Sequence, residues 1–140
     1  MEIRFTIEGN HASQDGNPVP YLRLTQNELR LLRIPAWKAR ITGKRTRVQR
    51  YMDWKEYVYL CFLKACQENK VSPEEFFRHI SRAQKVRLDC IVHFKDRRHG
   101  DPENVRKGIS DAIFQDDRKV IGFYDFDYSS KPGVEVKISI

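Results

Sequence analysis

Apolar and polar residues alternate from the first positions of the chain. Ile3, Phe5 and Ile7 are set against Glu2, Arg4 and Thr6, the period of a half-buried strand that Gly9 ends. Asn10 to Pro20, rich in Asn, Gly, Ser and Pro, reads as a loop. Thr25 and Glu28 have the spacing of a helix capping box, with Leu29 and Leu32 as a short apolar face that Pro35 stops; an irregular turn fits the same residues. Asp53 and Glu56 repeat that spacing and open the best-marked helix, which ends near Asn69. Its apolar stripe is Trp54, Val58, Cys61, Phe62 and Ala65, widened by Tyr57 and Leu60. Ser72, Pro73, Glu74 and Glu75 start another helix, which turns Phe76, Phe77 and Ile80 inward.

From Lys85 to Phe94 the alternation returns, with Val86, Leu88, Cys90, Val92 and Phe94 on one face of a predicted strand. The strand delivers the chain to Asp101 and Pro102, a helix start whose Asp can cap free N–H groups, and this helix runs to about Phe114. Lys119 to Tyr124 is apolar on both faces, which predicts an interior strand. Asp127 to Gly133 then turns into a closing strand with Val134, Val136, Ile138 and Ile140 facing inward. Strands at both ends and in the middle, with helices between, predict an α+β fold: a mixed β-sheet with helices packed against it, one domain over residues 1–140.

Composition supports a packed core. Hydrophobic residues make up 40% of the chain, with eight Phe, six Tyr and two Trp among its aromatics. Lys and Arg outnumber Asp and Glu by 26 to 19, for a net charge of +7, which suits a polyanionic partner. The longest apolar run, Tyr57 to Leu63, is far short of the roughly 20 residues that span a bilayer. No basic leader with an apolar core opens the chain, so the expectation is a cytoplasmic protein with no membrane partner. Cys61, Cys66 and Cys90 form no CxxC pair and read as buried apolar groups.

Two stretches carry candidate chemistry. Between Lys38 and Arg50 there is no acid, and Lys38, Arg40, Lys44, Arg45, Arg47 and Arg50 are available for phosphate contacts, as are Arg97 and Arg98 further on. A solvated charge run is the plainer reading of the same residues. Trp37, just upstream, fits core packing better than base stacking. Against this basic background the acids Asp101, Glu103, Asp111, Asp116 and Asp117 are gathered around one helix. Glu103, Lys107 and Asp111 share a face at i, i+4 and i+8. Hard oxygen ligands flanking a short helix can cage Mg2+. First-turn acids also favour the helix dipole, and a Glu103–Lys107 surface pair contributes only about 0.2–0.5 kcal/mol.

The residues Asp101, Pro102, Glu103, Asn104, then Lys107, Asp111, Ala112, and finally Asp116, Asp117 and Val120 resemble the motif of the RusA-type Holliday junction resolvases, small endonucleases of bacteria and phages. The resemblance covers Asp101 to Val120 in detail and the flanking strands more loosely. It implies a homodimer that binds branched DNA, a four-way junction, and nicks two opposed strands symmetrically. It implies Mg2+, or Mn2+, as cofactor and no small-molecule cofactor. Carried over residue by residue, it makes Asp101, Glu103 and Asp117 the metal-holding carboxylates and Lys107 the catalytic base-bearing side chain, with Asp116 ranked behind Asp117. Glu103 stands where the family has Asp, and Lys119 where it commonly has Gln. Two other readings stay open: a catalytically inactive junction-binding or regulatory protein, and a metal-dependent nuclease acting on other branched DNA.

Overall fold

The computed structural model describes residues 1–9, 16–23, 25–26, 47–114 and 116–140, with Arg47 described in its backbone alone. The described chain runs β1 (Glu2–Glu8), α1 (Arg47–Glu68), α2 (Pro73–Arg82), β2 (Val86–Phe94), α3 (Pro102–Ile113), β3 (Val120–Ile121), β4 (Tyr124–Tyr128) and β5 (Gly133–Ser139). The five strands form one mixed sheet. β5 lies between β1 and β2 and is antiparallel to both, while β3 and β4 follow one another along the free side of β2, parallel to it. Of the predicted capping-box helix only Thr25 and Gln26 are described; Glu28, Leu29, Leu32, Trp37 and the basic residues Lys38, Arg40, Lys44 and Arg45 fall outside the described residues.

Strand periodicity decides which face is covered. Ile3 and Ile7 of β1, Leu88, Cys90, Val92 and Phe94 of β2, and Val134, Val136 and Ile138 of β5 are buried on the side that carries the helices. The other face is polar and open. It presents Arg4, Arg87, Glu135 and Lys137, as befits a sheet with one solvated side.

α1 begins at Arg47, well before the expected start at Asp53. Val48 and Tyr51 continue the stripe of Trp54, Val58, Phe62 and Ala65 toward the N-terminus, and all six are buried. Packing of that stripe carries the helix through the Asp53–Glu56 box. Leu60, expected to widen the stripe, is exposed, and Cys66 is buried. α2 starts as expected, the Ser72 Oγ accepting the Glu75 N–H at 3.1 Å, and its Phe76 meets Phe62 with ring centroids 4.9 Å apart.

The strand expected in the interior after Lys119 is instead an exposed edge in two pieces. The break falls at Gly122, whose φ of +141° and closeness to the Leu88 carbonyl leave no room for a side chain. Side chains stitch the gap. The Asp89 carboxylate accepts the Phe123 N–H at 3.0 Å, and Arg106 Nε donates to the Leu88 carbonyl at 2.9 Å. Apolar residues on both faces of a strand fit an edge as well as a centre, because an edge here keeps Ile121, Phe123, Tyr124, Phe126 and Tyr128 exposed.

Candidate active site

The unit β2–α3–β3/β4 positions the candidate residues. Since the helix crosses back over the sheet to a parallel strand, its N-terminus lies where β2 ends. Asp101 caps it as expected: Oδ1 accepts the Glu103 N–H at 2.8 Å, and Pro102 fills the first turn. Glu103 and Lys107 are exposed, and the Lys107 ammonium lies over the Tyr21 ring, 4.7 Å from its centroid.

A loop distant in sequence braces this end. Asn17 is 2% exposed; its Oδ1 accepts the Lys95 N–H at 2.6 Å, and its Nδ2 donates to Asp96 Oδ1 at 3.2 Å and to the Arg98 carbonyl at 3.0 Å. The Tyr21 N–H donates to the Asn104 carbonyl at 2.8 Å, tying the same loop to the first turn of α3. Pro20 sits so close to Gly100 that a Cβ there would lie 2.7 Å from its Cγ. His99 is a structural tie: its ring stacks on Phe94 at 3.7 Å, its Nδ1 faces the Gly100 carbonyl at 2.7 Å, and its Nε2 meets the Tyr128 hydroxyl at 2.9 Å. A carbonyl only accepts, so Nδ1 carries the proton and Nε2 can accept from Tyr128.

Between this loop, α1 and the β2–α3 connection lies a cleft of about 520 Å3. Of the basic residues proposed for DNA contact, Arg50, Arg97 and Arg98 line it. Arg98 is drawn partly to Asp96, 3.5 Å away. The Arg98 N–H, together with Asn17 and the Arg98 guanidinium, holds the Asp96 carboxyl below the usual range.

Asp117 does not join Asp101 and Glu103. α3 is twelve residues long, about 18 Å, with Asp101 before its first residue and Asp117 beyond its last. The Val120 N–H then donates to the Asp117 carbonyl at 2.9 Å, and Val120 pairs with Val86, the first residue of β2, whereas Asp101 follows its last. Asp116 is clamped by Arg118 at 2.9 and 2.8 Å, and these hydrogen bonds hold its carboxyl down at about 2. Asp111 pairs with Lys55 at 2.9 Å and accepts from Tyr51 at 2.7 Å. Lys119 turns toward the end of α2, where its Nζ donates to the Ile80 and Ser81 carbonyls at 3.4 and 3.2 Å. Among the described residues no three His, Cys, Asp or Glu side chains are arranged to hold a metal ion. The set Asp101, Glu103 and Asp117 therefore does not fit a Mg2+ cage within one chain.

Two acids that the motif does not include stand at the end of the sheet where Asp101 lies. Asp125 and Asp127 of β4 pair with Ile91 and His93 of β2, on the open face. His93 sits between two carboxylates, Nδ1 2.5 Å from Asp127 Oδ1 and Nε2 3.0 Å from Glu135 Oε2. The signal for them was present in the alternation Tyr124-Asp-Phe-Asp-Tyr128, read together with the preference of ligands for the carboxyl ends of parallel strands. Asn17 had no such signal, since its partners lie far along the chain. No protein-family model matches the chain, and a search of curated proteins finds no match. No helix among the described residues is long and apolar enough to cross a membrane.

Proposed function

We propose that the chain is a structure-selective endodeoxyribonuclease that resolves four-way DNA junctions by paired symmetric nicks, acting as a homodimer with Mg2+ or Mn2+ as cofactor, which Asp101 and Glu103, without Asp117, would hold together with the substrate phosphate. One observation carries this reading: the first acids of the resolvase-like motif, Asp101 and Glu103, start α3 at the carboxyl end of a parallel strand pair, directly after Gly100, which lines a cleft with Arg50, Arg97 and Arg98. Open sheets hold their ligands at that end, and arginines there suit phosphate oxygens through paired N–H donors. Lys107 then supplies positive charge near the phosphate undergoing attack. A two-fold dimer accounts for paired cuts, because symmetry sets two identical sites on a symmetric substrate.

The test is a panel of four-way junctions, flaps and linear duplexes, each with Mg2+ or Mn2+. Paired nicks confined to the four-way junction are expected. Equal cutting of flaps would move the assignment to a nuclease of other branched DNA. A second reading, a junction-binding protein without catalysis, is favoured by the position of Asp117 at the far end of α3 and by Asp101 serving as a helix cap. Tight junction binding with no cutting in either metal would select it.

A further inference from the structure

The cleft beside the α3 N-terminus has a composition that phosphate binding alone does not require. One wall is Pro18, Pro20 and Tyr21, while Arg50 and Arg97 supply charge. Many surface arginines of this chain are already held by acids: Arg4 by Glu2, Arg87 by Asp89 and Arg118 by Asp116. Among the described residues, Arg50 and Arg97 make no side-chain hydrogen bond or ion pair, so no described acid takes up their charge.

The wall is also rigid. Asn17, Gly100 and the Tyr21 N–H lock the loop to β2 and α3, and Tyr21 meets Tyr51 edge-on with ring centroids 5.9 Å apart. Tyr51 in turn is buried and anchored to Asp111. At about 520 Å3 the cleft falls in the size range, about 300–1,000 Å3, of sites that enclose small organic groups. Flat apolar and aromatic walls with neighbouring cations are the chemistry by which proteins hold unstacked bases and the phosphates that flank them.

We propose that this cleft captures one unpaired nucleotide of DNA, its base against the Pro18–Tyr21 wall and its flanking phosphates against Arg50 and Arg97. The proposal rests on the nuclease reading only for the source of that nucleotide, the strand exchange point of a branched substrate. There, bases are more readily unstacked than in a duplex, and capture beside Asp101 and Glu103 would register the branch relative to the acids. A continuous duplex offers no such nucleotide.

The experiment places 2-aminopurine, whose fluorescence rises on unstacking, at the branch point of a four-way junction, with EDTA present so that nothing is cut. A rise on adding the full chain is expected, with no change when the label sits in the middle of an arm. Tyr21→Ala and Arg97→Ala should each remove the rise, and Tyr21→Ala should weaken binding of a short labelled oligo(dT) about tenfold. Tyr21→Phe, which keeps the ring and the backbone bond to Asn104, should retain both signals and shows that the Ala variant reports on the ring. Junction cutting in Mg2+ with no rise at any branch position overturns the cleft proposal and leaves the nuclease standing. A Tyr21- and Arg97-dependent rise without cutting in Mg2+ or Mn2+ supports the cleft and removes the nuclease. Absence of both junction and oligo(dT) binding overturns the cleft outright.

Discussion

His93 and Asp127 stand directly opposite each other across the parallel pair β2 and β4, with Nδ1 2.5 Å from Oδ1. Glu135 lies 3.0 Å from the other ring nitrogen, so the protonated imidazole can donate to a carboxylate on each side, one from β4 and one from β5. Partial burial pulls its pKa down, but the hydrogen bonds to Asp127 and Glu135 outweigh that and raise it. A raised folded value means that the histidine contributes stability in full below roughly pH 6.5, the ordinary histidine value, and loses it as pH climbs through the folded value. Urea denaturation at a series of pH values should show wild type exceeding His93→Gln most on the acid side, with the gap narrowing as pH rises. A gap that stays constant would mean the two carboxylates do not bind the charged ring.

Asp89 is the hinge pin of the broken edge. Its carboxylate accepts the Phe123 N–H that the Gly122 kink leaves without a strand partner, and it is itself held by Arg87 at 2.9 Å. Asp89→Ala should destabilise the fold by about 1–3 kcal/mol, the cost of a polar group stranded without its partner. Amide exchange at Phe123 and Tyr124 should quicken before that of β1 and β5. Equal protection in variant and wild type would show that the kink holds itself.

Tyr51 links α1 to α3 through Asp111, which Lys55 also reaches. Because Lys55 stays in place, Tyr51→Phe removes one hydrogen bond without leaving Asp111 alone, and thermal melts should register a loss of about 1 kcal/mol. Combined with Asp111→Asn, the two changes should be less than additive, as expected of groups in contact. Strict additivity would show that the hydroxyl and the carboxylate act independently.

Asn17 should matter to both stability and DNA. Asn17→Ala removes bonds to Lys95, Asp96 and Arg98 from a buried position, and about 1–3 kcal/mol should be lost. The loop it braces carries the Pro20 and Tyr21 wall of the cleft, so junction affinity should fall even at temperatures where the variant remains folded. Unchanged affinity in a folded Asn17→Ala protein would separate the loop from DNA binding.

Much of the architecture could be read from local signals. Ser72-Pro73 and Asp101-Pro102 start helices where their capping chemistry says they should, and Val86 to Phe94 alternates because one face of the strand is buried. Local signals failed where long-range packing decides. The Asp53–Glu56 spacing lies inside a helix because the buried Val48 and Tyr51 extend the stripe behind it. For the candidate site the limit was topology. Spacing along the chain places Asp117 one short helix from Asp101, but the helix runs unbroken for twelve residues and the next strand starts again at the head of β2. A parallel strand must run its length before its acids reach the other end, and here those are Asp125 and Asp127.

Under the proposed function the reacting end of the molecule is the end where Asp101 caps α3, and not the end where Asp117 lies. This is tested most directly by cutting of a synthetic four-way junction in Mg2+ by two variants compared with wild type. Asp101→Asn should bind the junction but cut it at least about a hundredfold more slowly, as expected if its carboxylate would hold the divalent cation that offsets charge on the scissile phosphate. Asp117→Asn should cut as wild type does. Loss of cutting in Asp117→Asn with cutting retained in Asp101→Asn would contradict the account.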